Sequence, residues 1–76
     1  MNKQRRNELD QIRSQLDQIL IDLEAVKDDE ENSRDNIPEN LQGTERYAIS
    51  DEACIFLDEA VSELNATIDA IDQIIG

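Results

Sequence analysis

Residues 9–26 read LDQIRSQLDQILIDLEAV, and within them Leu9, Ile12, Leu16, Ile19, Leu23 and Val26 recur at intervals of 3, 4, 3, 4 and 3. That spacing returns every apolar side chain to one stripe of an α-helix, the a and d positions of a heptad. Asp, Gln, Arg, Ser and Glu fill most of the remaining positions, as a wet helix face requires. No Gly or Pro interrupts residues 1–35. The pattern predicts one helix from about residue 3 to about residue 32.

A second stripe lies at the other end of the chain. Leu57, Val61, Leu64, Ile68, Ile71 and Ile75 follow at intervals of 4, 3, 4, 3 and 4. Tyr47 and Cys54 extend it backwards, which favours Thr44 over Ser50 as the N-cap and predicts a helix over about 44–75. Between the stripes, Asp28-Asp29-Glu30-Glu31 places four carboxylates at the end of helix one, where they oppose the helix dipole, so fraying is expected there. Pro38 disfavours helical geometry at Ile37 and suits the first position of a short turn. Ile37 and Leu41 would bracket that turn and Gly43 would end it. Residues 33–43 therefore read as a structured connector within a single domain spanning 1–76. Two matching stripes joined this closely fold back on each other, so the expected class is all-α: an antiparallel two-helix hairpin.

Composition narrows the chemistry. The 76 residues hold 19 Asp+Glu against 7 Lys+Arg, a net charge of −12, with one Cys, no His and no Trp. A serine–histidine triad and a Cys/His zinc site are excluded, as is an intrachain disulfide. The carboxylate pairs (Asp51-Glu52, Asp58-Glu59) fall on solvated faces without an apolar pocket to shift them, and the acidic run lacks calcium-loop spacing. Cys54 has no histidine or cationic cluster beside it and reads as a small buried hydrophobe. No catalytic, cofactor or metal-binding residue is assigned, and an enzyme is not expected. The acidic balance disfavours nucleic acid and anionic membranes. No signal sequence or spanning segment is evident, so a cytoplasmic location is expected.

A hairpin this small has a thin core and calls for a staple, and association is the one that composition leaves. Leu20, Ile21, Ile49, Ile55 and Phe56 lie off the stripes and fall at similar levels of the hairpin. They are expected to form a patch that pairs two copies into a four-helix bundle; the alternative is that Leu20 and Phe56 widen the core within one chain. Charge is uneven as well. Residues 1–13 carry +2 and the other 63 carry −14, which places the basic start beside Asp69, Asp72 and the negative end of helix two. Asp28, Asp29, Glu30, Glu31, Arg46, Tyr47, Asp51 and Glu52 are the candidate partner contacts, with Tyr47 also able to pack on Ile37 or Leu41.

The connector Asn36-Ile37-Pro38-Glu39-Asn40-Leu41-Gln42-Gly43-Thr44-Glu45-Arg46-Tyr47, followed by an acidic heptad helix, resembles small acidic proteins common in phages and mobile elements of Gram-positive bacteria. The chain departs from that pattern at Ala48-Ile49-Ser50 and Ala53-Cys54-Ile55-Phe56, where more acidic residues are expected. The resemblance brings no catalytic residues. It implies an accessory role, such as engaging or blocking a host protein; together with the net charge of −12, it gives the sharper expectation that carboxylate rows imitate phosphates and occupy a basic cleft of a host protein. The competing expectation is a purely architectural bundle used in assembly.

Overall fold

The computed structural model describes all 76 residues. Helix α1 runs Lys3–Asp35, a single 3-10 turn runs Glu39–Leu41, and helix α2 runs Glu45–Ile75. The two helices fold back as an antiparallel hairpin with extents of 59 × 15 × 14 Å. Neither helix is long and apolar enough to cross a membrane.

The ends of each helix follow from local chemistry. Asn2 caps α1 by accepting a hydrogen bond from the Arg5 backbone N–H at 2.8 Å, which satisfies one of the free donors of the first turn. The acidic run does not fray: Asp28 to Glu31 are helical, and α1 continues to Asp35. The expected conflict with the helix dipole is offset from three sides. Lys27 pairs with Glu31 one turn on, at 3.3 Å. Glu30 accepts a hydrogen bond from the Ser50 hydroxyl at 2.7 Å. Arg34 supplies a cation to the last turn, where positive charge is favourable.

The connector is ordered as its sequence implies. The Pro38 carbonyl accepts from the Leu41 N–H at 2.8 Å, and Ile37 is buried beside the turn. Thr44 occupies the N-cap of α2, but its hydroxyl turns back and donates to the Leu41 carbonyl at 2.6 Å instead of capping the helix. Gly43 does not use the left-handed conformation that favours glycine, and open space surrounds the position of its absent Cβ. Its place in the turn therefore has no steric requirement.

The packed stripe of α2 matches the expected one. Tyr47, Leu57, Val61, Leu64, Ile71 and Ile75 are half-buried, and Cys54 and Ile68 are buried. The stripe of α1 is rotated. Leu9, Leu16 and Leu23 lie in the seam as expected, but Ile12, Ile19 and Val26 are 45%, 51% and 54% exposed. The positions that alternate with the leucines are Arg13, Leu20, Lys27 and Arg34, each half-buried. With ~100° per residue, the face presented to α2 is turned by about 50° from the apolar a/d stripe. The rotation brings three cations and Leu20 to the partner helix and leaves three aliphatic side chains outside.

Two consequences can be measured. Ile68 is only 5% exposed, so Ile68→Ala should lower unfolding free energy by about 2–4 kcal/mol, while Ser62→Ala on the outer face should stay within about 0.5 kcal/mol; urea denaturation distinguishes the two. Gly43→Ala should be tolerated and should raise stability by about 0.4–1 kcal/mol through the unfolded chain; a loss of helicity or of stability would show that the turn needs glycine.

Candidate functional site

The rotation of α1 creates a ladder of charge along one side of the hairpin. Arg13 pairs with Asp72, Lys27 with Asp58 at 3.4 Å, and Arg34 with Asp51 at 3.0 Å. The residue numbers of each pair add to 85, as one antiparallel register demands, so Leu20 falls level with Asn65 at the one uncharged rung. Positions 13, 20, 27 and 34 of α1 step by seven against 72, 65, 58 and 51 of α2, and three of the four rungs join a cation to a carboxylate. The sequence showed both repeats, but each hides among many other charges. Only the pairing of Arg13, Lys27 and Arg34 with Asp72, Asp58 and Asp51 reveals them.

Each cation holds a second carboxylate from its own helix: Asp17 for Arg13, Glu31 for Lys27 and Asp35 for Arg34. The hydrogen bond from Arg13 keeps the Asp72 carboxyl below its ordinary value, and Asp72 in turn raises Arg13. Lys27 is raised, chiefly by its hydrogen bond to Glu31. Arg34 is raised, chiefly by its hydrogen bond to Asp35.

Near the connector, the ladder borders an open groove of about 410 Å³ lined by Glu31, Arg34, Cys54, Ile55, Asp58 and Glu59. Cys54 is 3% exposed, and burial pushes its thiol up, against the lowering effect of Arg34. A thiol held protonated and enclosed is a weak nucleophile, consistent with the small-hydrophobe reading. The carboxylates of the groove are tied to Lys27 or spread along two helices, and the protein has no cluster of three or more His, Cys, Asp or Glu residues placed to hold a metal ion.

The candidate contact residues separate into two groups. Glu30 is held by Ser50, Glu31 by Lys27 and Asp51 by Arg34, and Tyr47 lies half-buried in the seam. Asp28, Asp29, Arg46 and Glu52 stay exposed and make no ion pair. The basic start is also divided. Arg13 reaches Asp72, whereas Lys3, Arg5 and Arg6 pair with nothing, Asp69 included.

The five residues expected to form one association patch are not gathered together. Leu20 belongs to the intrachain seam, as the alternative reading had it. Ile21 and Ile55 are exposed on the ladder side, with Ile55 lining the groove beside Asp58. Ile49 and Phe56 are exposed on the opposite side of α2, by the ~100° helical step. There they share a face with Ile12, Ile19 and Val26 of α1, which the sequence pattern had assigned to the core. The error has one source: the a/d rule assumes that the most apolar stripe faces the intrachain partner.

No family model, curated protein or solved structure matches the chain. The functional reading therefore rests on the hairpin's own surfaces.

The ladder makes stability depend on pH with a defined sign. Asp72 titrates below its ordinary 3.8 in the folded protein. Its contribution is present above the unfolded value and is lost as pH falls through the folded one. The stability gap between the natural chain and Asp72→Asn should be constant near neutrality and close between about pH 4 and pH 2. Thermal melts of both proteins across that range measure it, and a gap unchanged at low pH would remove the ladder's role.

Proposed function

We propose that the protein is a non-enzymatic interaction module that engages a basic partner through the connector half of its surface. The observation that carries this reading is where the uncompensated charge lies. The six ion pairs use six of the 19 carboxylates, leaving thirteen without a cation. Residues 28–52 hold nine acidic and two basic side chains, a net −7 in a third of the chain. Asp28, Asp29 and Glu52 point outward from rigid helices, and Glu39 and Glu45 flank the exposed turn between them. A fixed anionic end of this kind steers a cationic surface toward it and loses that effect as salt screens the field.

The same anionic end is compatible with occupation of a cleft that otherwise takes nucleic-acid phosphates. The connector's resemblance to small acidic proteins of phages and mobile elements extends the proposal to an accessory role against a host protein. Direct contact with nucleic acid is not part of the proposal, because the free cations are few and no aromatic side chain interleaves them.

A second reading, an architectural bundle built from copies of this chain, is favoured by the exposed Ile12, Ile19, Val26 and Phe56.

Capture experiments from a bacterial lysate test the acidic reading. Proteins retained at about 50 mM salt should be released by about 500 mM salt, and a variant carrying Asp28→Asn, Asp29→Asn, Glu39→Gln and Glu45→Gln should fail to retain them. Retention that ignores salt, or that survives those four substitutions, would contradict a charge-driven interface.

A further inference from the structure

The ladder covers one side of the hairpin with charge and leaves the other side apolar. On α1, Ile12, Ile19 and Val26 repeat every seven residues along that open side. On α2, Ala53 and Ala60 lie beside them at low profile, with Ile49, Phe56 and Ile74 further round, all three exposed. Scattered surface aliphatics need no explanation, but a regular stripe on one face does.

The size of the exposed surface points to what covers it. The chain exposes 5619 Å² at 8.7 kDa, whereas a compact monomer of that mass exposes about 4,700 Å². The excess of about 900 Å² reflects the thin 59 × 15 × 14 Å rod, a shape that has surface to spare for the ~800 Å² that each partner contributes to a standard interface. Only four residues of the chain are buried. A second hairpin laid on the open face would supply the missing layer and complete a four-helix bundle.

Charge then selects the direction. Arg13 is level with Asp72, so in the same register Gly76 is level with Leu9. The first turns of α1 before Leu9 therefore project about 9 Å past the end of α2. This arm carries Lys3, Arg5 and Arg6 against Glu8, a net +2, and none of its cations is paired. The opposite end of the hairpin carries the −7 of residues 28–52. Parallel packing of two copies would bring like ends together. Antiparallel packing sets each basic arm against the acidic end of the other copy.

We infer that a second copy of this chain covers the open face, antiparallel, about a two-fold axis at Ile19. The equal spacing on either side of Ile19 then brings Ile12 to Val26 of the second copy and Val26 to its Ile12. Arg5 continues the stripe by one heptad and comes level with Ser33 of the second copy, and Lys3 comes level with its Asp35. Asp29, one turn before Ser33 on that side and without an ion pair in its own chain, is then the carboxylate that the arm's cations approach. The apolar contact is independent of the acidic-partner reading, because it uses the face opposite the ladder; only the direction draws on the acidic end that both readings share.

Cysteine cross-linking reads both the occupant and its direction. In a Cys54→Ala background, chains bearing Ile12→Cys or Val26→Cys are oxidised separately and as a mixture. Both sites are exposed and outside the intrachain seam, and unchanged circular dichroism would verify that the hairpin is intact. The antiparallel pair predicts little self-linking by either variant and efficient 12-to-26 linking in the mixture. Strong 12-to-12 and 26-to-26 linking would overturn the direction. Sedimentation supplies the independent readout. The natural chain should sediment at twice its monomer mass at tens of micromolar, and Ile19→Glu should sediment as a helical monomer. A natural chain that sediments at 8.7 kDa would overturn the inference.

Discussion

The rest of the structure depends on how α1 is turned about its own axis. Two faces compete for α2. One is the aliphatic a/d stripe, with Ile12, Ile19 and Val26 beside the leucines. The other combines the same leucines with Leu20 and three cations. The second face wins. Leu20 keeps an apolar side chain in the middle of the seam and offsets part of the burial lost at Ile12, Ile19 and Val26. Arg13, Lys27 and Arg34 meanwhile reach carboxylates on both helices. Exposed ion pairs add little stability individually, but at one shared register they specify alignment. The apolar seam alone, repeating every seven residues, would permit the hairpin to slip by a heptad at small cost.

The seam is not uniform along its length. Toward the free ends of the helices it is aliphatic, with Leu9, Leu16, Leu20 and Leu23 opposite the stripe from Leu57 to Ile75. Toward the connector it becomes polar, where Glu30 meets Ser50 and Arg34 meets Asp51. Burial and alignment are nonetheless shared along the seam: Ile37, Ser50 and Cys54 are buried toward the connector and Ile68 toward the free ends, and the rungs run from Arg13–Asp72 to Arg34–Asp51. The connector keeps the two helices in step: Ile37 and the turn after Pro38 close the polar end with an apolar plug and short hydrogen bonds. An uninterrupted aliphatic seam would be more stable and less specific, the trade seen wherever buried polar groups fix a register.

Much of this arrangement was legible in the sequence. The two heptad stripes, the Pro38 turn, the Thr44 position, the burial of Cys54 and the seam residues from Leu57 to Ile75 all follow from periodicity and backbone chemistry. The rotation of α1 was not, because hydrophobicity ranks Ile12 above Arg13 at every pass along the chain. Nothing local says that Arg13 has a carboxylate waiting 59 residues away. The persistence of α1 through Asp28-Asp29-Glu30-Glu31 was hidden only in part for the same reason: the hydrogen bond from Ser50 is tertiary, whereas Lys27 and Arg34 support the run from within α1. The surface reading changed with the rotation. Leu20 moved into the seam, Ile21 and Ile55 went to the ladder side, and the stripe of Ile12, Ile19 and Val26 emerged on the outside.

The orientation of α1 is most directly tested by nuclear Overhauser contacts within one isotope-labelled chain. The ladder register predicts cross-peaks between the Arg13 δ protons and the Asp72 β protons, and between the Lys27 ε protons and the Asp58 β protons, with no intrachain contact from the Ile19 methyls to Leu64 or Ile68. Strong intrachain contacts from Ile12, Ile19 and Val26 to the Leu57–Ile75 stripe, with the Arg13 and Lys27 side chains in water, would contradict it.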